Sequence, residues 1–148
     1  MKNLTVWVFV LSLALLASCA GQKGAVQKGE ISKTLEQQMT GKEYIEAIGI
    51  GAADQKLDNK TQRMATSRNA GIVMAQYEML SVIKGLKLEG GITVEKAMET
   101  DSVIASKIDA EIKGAEIVKS EWTNDDGCVV TLRLPRKRLK DMGLKLSE

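Results

Sequence analysis

The chain predicts an α+β domain in which one long helix and a second, shorter helix pack on a small antiparallel sheet, in the order strand, helix, helix, hairpin. Three observations carry this reading. Lys42 to Ala53, KEYIEAIGIGAA, alternates with period two and is rich in β-branched residues, as a strand does. From Asp58 to Lys84 apolar residues recur at helical spacing over a length that no ordinary strand reaches. Asn124-Asp125-Asp126-Gly127 then separates two apolar runs, and Asp-Gly readily takes the positive φ that a tight hairpin needs.

In the first strand Tyr44, Glu46, Ile48 and Ile50 share one face, and Ile45, Ala47, Gly49 and Gly51 share the other. Gly49-Ile50-Gly51 lacks the rest of a dinucleotide fingerprint. Asp54 stands where the third glycine belongs, and the polar link from Gln55 to Lys60 delays the helix. Two glycines on one strand face instead leave room for a helix to pack closely.

Asp58 or Asn59 caps that helix and Gly85 stops it. Ile72, Ala75, Met79, Val82, Ile83 and Leu86 form a stripe, with Met64, Gly71, Met74, Tyr77 and Leu80 around them. The apolar arc from Ala70 to Ile83 is wider than one sheet face covers. Either the helix is buried on two sides or it meets a second subunit. A homo-oligomer is the expectation, with Ile72, Met74, Met79 and Ile83 at the candidate interface.

Gly90-Gly91 reads as a turn. Thr100 or Ser102 caps a second helix from Val103 to Lys113, which buries Val103, Ile104, Ile108 and Ile112 and ends at Gly114. Ala115 to Trp122 and Cys128 to Leu134 are the hairpin strands, and Pro135 ends the second. Arg136 to Lys140, RKRLK, reads as a solvated helical turn, with contact to anionic lipid head groups as its alternative use.

The N-terminus has another character. Lys2 precedes LTVWVFVLSLALL, Leu4 to Leu16, a positive n-region and an apolar h-region of signal-peptide length. A bilayer span needs roughly 20 apolar residues, and this run is shorter. Leu16-Ala17-Ser18-Cys19 follows, and resembles the lipobox of bacterial lipoproteins. That resemblance implies cleavage before Cys19, a diacylglyceryl thioether on its sulfur and an acylated (typically palmitate) amino group. Two or more acyl chains hold a protein stably at a membrane, where one chain is marginal. Ala20, a non-Asp residue after the cysteine, implies the outer membrane, facing the periplasm. The expected division is a signal peptide at 1–18, a lipidated tether at 19–41, helical over Ser32 to Met39, and one domain at 42–148.

Composition narrows the function. The 148 residues carry a net charge of +2, which gives nucleic acid no electrostatic reason to bind. There is no His, the usual neutral-pH base and a common metal ligand, so neither a metal site nor a cofactor is expected. Cys128 is the one cysteine besides Cys19. It would be the obvious nucleophile, but no His exists to activate it, and its strand setting implies burial. Glu46, Glu78 and Asp101 are scattered, so no catalytic residue is assigned.

Ala65, Ala70, Ala75, Leu80, Ile83 and Gly85 follow the pattern Ala-x₄-Ala-x₄-Ala-x₄-Leu-x₂-Ile-x-Gly. An Ile-Gly-Ile-Gly strand precedes it. Gly114-Ala115-Glu116-Ile117-Val118, Trp122, Gly127 and a strand closing in Leu-Pro come after. From Tyr44 to Leu139 this resembles the lipoprotein-twenty family of small bacterial outer-membrane lipoproteins, which includes flagellar basal-disc lipoproteins of the FlgP type. The resemblance implies a helix packed on an antiparallel sheet and self-association, and it brings no catalytic residue.

The expected function is a lipid-anchored, non-catalytic structural or interaction lipoprotein that self-associates in the cell envelope, in a flagellar or other envelope-associated assembly. The competing expectation is a periplasmic binding module for a small apolar or lipidic ligand, with Trp122 and Tyr77 stacking on it.

Overall fold

The computed structural model describes residues 41–147. The expected signal peptide at 1–18, the expected lipidation at Cys19 and the expected tether up to residue 40, with its helix, lie outside the described residues. Seven elements follow one another: β1 Tyr44–Gly51, α1 Lys60–Gly85, α2 Val94–Thr100, α3 Ser102–Lys113, β2 Glu116–Trp122, β3 Cys128–Pro135 and α4 Arg136–Asp141. The sheet is antiparallel with order β1-β3-β2, so the last strand in sequence is the central one. The α+β class and the antiparallel sheet agree with the sequence reading.

Register assigns the faces. Tyr44 pairs with Pro135 and Gly51 with Cys128, in step between. Directly opposed residues share a face, so Ile45, Ala47, Gly49 and Gly51 lie beside Leu134, Leu132, Val130 and Cys128. All eight are buried, and α1 covers them. Along α1 the buried row is Ser67, Gly71, Ala75, Met79 and Ile83, one residue every four. Small residues come first because the glycines of β1 bring the two backbones into contact there. A Cβ on Gly49 would overlap the amide of Ala75 and the carbonyl of Gly71, and one on Gly51 would overlap the carbonyl of Ser67. Gly71 sits mid-helix at a propensity cost of about 1 kcal/mol relative to alanine. Its own Cβ would stand 2.9 Å from Val130 Cγ2 and 3.2 Å from the Cys128 carbonyl, so the cost is accepted for closeness.

The α1 N-terminus is capped by Asn59, whose Oδ1 accepts from Gln62 N at 3.3 Å. That choice settles between Asp58 and Asn59. Gly85 is the last helical residue and Leu86 the C-cap. The next segment corrects the sequence reading. Two helices stand where one was expected: Thr93 caps α2, and Asp101 closes α2 and caps α3 by accepting from Val103 N at 2.8 Å. Neither Thr100 nor Ser102 is the cap. Val103, expected in the buried stripe, points to solvent, because it lies about 140° and about 180° around the helix from Ile108 and Ile112, which face the core.

The hairpin loop from Thr123 to Gly127 is held by α1. Asp126 takes the positive φ, at 62°, in place of Gly127. Arg63 Nε and Nη2 each reach Asp126 Oδ2 at 2.9 Å, and Nη1 donates to the Leu57 carbonyl at 2.7 Å. Ser67 is fully buried, and its hydroxyl donates to the Asp126 carbonyl at 2.7 Å. Arg63→Ala removes these contacts and is expected to cost about 1–3 kcal/mol, read as a lower midpoint in urea unfolding with an unchanged slope. An unchanged midpoint would show that the fork contributes nothing.

The last strand hands over to α4 at Pro135. The expected helical turn for the basic run is present. Leu139, Leu144 and Leu146 are buried, and Leu146 bridges back to Leu88.

Candidate interaction surface

Helix phase decides which apolar residues of α1 remain available. With the row through Ala75 and Met79 turned to the sheet, the opposite side of the helix carries Thr66, Asn69, Ala70, Val73, Tyr77 and Ser81. None is charged and all are exposed. Val73 is 63% exposed, Tyr77 67% and Met74 45%. Val73 and Tyr77 are four apart and Met74 and Tyr77 three apart, so the three side chains form one contiguous patch. Leaving such surface in water forgoes about 25 cal/mol for each Å² that a partner would cover.

The four residues expected at an interface are thereby separated. Met79 and Ile83 are fully buried in the domain's own core. They belong to the sheet-facing row and present no surface. Ile72 is half-buried and packs against the core. Met74 alone keeps a large exposed area. Val73, the most exposed apolar residue of the helix after Tyr77, was missed, because an apolar arc this wide does not reveal its own inner side. The strand glycines do: they match only the row that begins with Ser67, Gly71 and Ala75.

The face of the sheet away from α1 is arranged differently. Ile48 and Val129 are buried there. Arg133 closes this face. Its guanidinium meets Glu46 at 2.5–2.6 Å and stands 5.0 Å from the centroid of the Tyr44 ring. A cation over an aromatic face is attracted to its quadrupole. The hydrogen bond to Glu46 raises the guanidinium pKa further above its ordinary value. Tyr44 and Ile50 remain partly exposed at the margin.

Cys128 is fully buried, as expected, and burial pushes its thiol pKa up. A thiol held protonated is a poor nucleophile. Trp122 is half-buried and its Nε1 donates to the Met64 carbonyl at 3.4 Å, while Tyr77 lies on the outer side of α1. The two aromatics expected to stack on a ligand therefore belong to different surfaces. Among the described residues no group of three or more His, Cys, Asp or Glu could hold a metal ion, and no helix is long and apolar enough to cross a membrane.

No family model, curated protein or solved structure matches this chain. What the patch does rests on its own chemistry. Apolar at its centre and carried on a helix braced by backbone contacts, it offers a surface whose backbone is already fixed before docking.

Proposed function

We propose that this protein is a lipid-anchored lipoprotein of the bacterial outer membrane, non-catalytic, whose domain self-associates in the periplasm. The observation that carries the self-association is the Val73–Met74–Tyr77 patch on α1. The outward row of α1 on which it sits, Thr66, Asn69, Ala70, Val73, Tyr77 and Ser81, carries no charge, and Glu78 stands at its border. The anchor rests on Leu16-Ala17-Ser18-Cys19 behind its apolar run. The lipoprotein-twenty resemblance supports the same class. The backbone contact between β1 and α1 leaves no room for a ligand between helix and sheet, which favours this reading over a binding module.

Two experiments test the two halves. Cys19→Ala is expected to move the protein from the membrane fraction to the soluble one, and intact-mass analysis of the wild type should find acyl chains on Cys19. For association, light scattering on the chain from position 19 with Cys19→Ser should show a mass rising with concentration. Val73→Asp with Tyr77→Asp should hold it monomeric at an unchanged melting temperature. A wild-type monomer at every concentration would sink the self-association reading and leave the anchor standing.

A further inference from the structure

A second surface, at the end of the domain where the described chain begins, is concave and basic. Lys42, Arg136, Lys140, Leu146 and Ser147 line a groove of about 300 Å³. A concavity of about 550 Å³ shares Lys42, Arg136 and Lys140 with it, and one of about 360 Å³ shares Lys140 and Leu146 and adds Lys145. Lys42, Arg136 and Lys140 have no carboxylate partner within ion-pair distance among the described residues, whereas the neighbouring Lys137 and Arg138 pair with Asp141 and Glu111. Glu43 and Glu89 stand at the rims and leave the balance positive.

Arg136 supplies an independent sign. Its Nε is shut off from solvent and has no hydrogen-bond acceptor among the described residues. A buried donor without a partner is costly and rare. Its backbone cannot swing away, because Arg136 N donates to the Glu43 carbonyl at 2.9 Å. The Nη donors of a guanidinium pair with phosphate oxygens, and they are the part of Arg136 that a ligand in the groove would meet, the Nε being enclosed. Lys42 and Lys140 add two point charges, and Leu146 offers an apolar wall beside them.

We propose that this groove binds the phosphate group of an anionic lipid head group in the membrane that holds the anchor. The source of the phosphate rests on the anchored reading above, and the groove's affinity for phosphate does not. The groove lies at Lys42, on the side of the domain joined in sequence to Cys19, so the proposed anchor keeps it within reach of the bilayer.

The test uses the chain from position 19 with Cys19→Ser, so that no acyl group contributes. Sedimentation with vesicles of phosphatidylcholine alone is compared with equimolar phosphatidylcholine and phosphatidylglycerol. Binding is expected only to the anionic vesicles, and is expected to weaken about fivefold for each basic residue removed in Lys42→Gln and Lys140→Gln. Arg136→Gln should weaken it further and abolish competition by inorganic phosphate. Lys56→Gln with Lys107→Gln, two exposed lysines outside the groove, should change nothing. Equal losses in this control would replace the site with diffuse surface charge and overturn the proposal. Absence of binding to both vesicles and inorganic phosphate would overturn it as well. Binding of phosphate without vesicle binding would keep the groove and overturn the lipid as its source. None of these outcomes bears on Cys19, whose acylation is read by mass.

Discussion

Gly51→Ala is expected to destabilise the domain by about 3 kcal/mol or more, at or beyond the upper end for one added methyl group. The added carbon would overlap the Ser67 carbonyl oxygen and press on the Gly71 amide. Both are backbone atoms of α1 and neither can rotate aside, so the helix must lift from the strand. Lifting it opens the contact that buries Ala75 and strains the hydrogen bond from Ser67 to Asp126. For a domain of this size each kcal/mol moves the melting temperature by about 4–8 °C, so circular dichroism should show a fall of about 12 °C or more. Gly85→Ala is the matched control. Nothing lies within 4 Å of its would-be Cβ, and helix propensity predicts a gain of up to about 1 kcal/mol. Similar melts for the two variants would mean that β1 and α1 are not in backbone contact.

Met79→Ala and Met74→Ala should behave as opposites although they lie five residues apart on one helix. Met79 is fully enclosed, and its truncation leaves a cavity costing about 2–5 kcal/mol. Met74 is nearly half exposed, so Met74→Ala should shift stability by no more than about 0.5 kcal/mol. Self-association should respond the other way. At a concentration where Met79→Ala remains folded it should still associate, whereas Met74→Ala should weaken the assembly, read by analytical ultracentrifugation. Loss of association in Met79→Ala with none in Met74→Ala would move the interface off this face of α1.

The elements legible in the sequence were those with a long or sharp local signature. β1 showed its period of two, α1 ran for seven turns, and Asp-Gly marked the hairpin. The close packing of Gly49 and Gly51 was also legible, because two glycines on one strand face have few other uses. α2 was not. Its seven residues make barely two turns, and its buried side chains, Val94 and Ala97, are too few to establish a period. The neighbour of β1 was hidden as well, since pairing between distant segments leaves no local mark on either. The alanine spacing behind the family resemblance has no single packing role. A step of five residues rotates about 140° around a helix, so Ala65 and Ala70 are exposed while Ala75 is buried. The exposed apolar patch was half legible: the apolar excess on α1 was visible, but separating Met74 from Met79 required matching the helix to the glycines of β1.

The sheet order also sets when the domain can form. Tyr44 and Pro135, partners at one end of the β1–β3 ladder, are about ninety residues apart in sequence, and closing so long a loop makes folding slow. β1 and β2 are both edges that meet only through β3, so neither has a strand to join until the hairpin is complete. A chain threaded end-first across a membrane, as the proposed anchor requires, therefore delivers its leading strand and long helix before anything exists to lock them. On that proposal, the topology that delays folding would also keep the chain pliable during export, with the core closing only after nearly all of it has emerged.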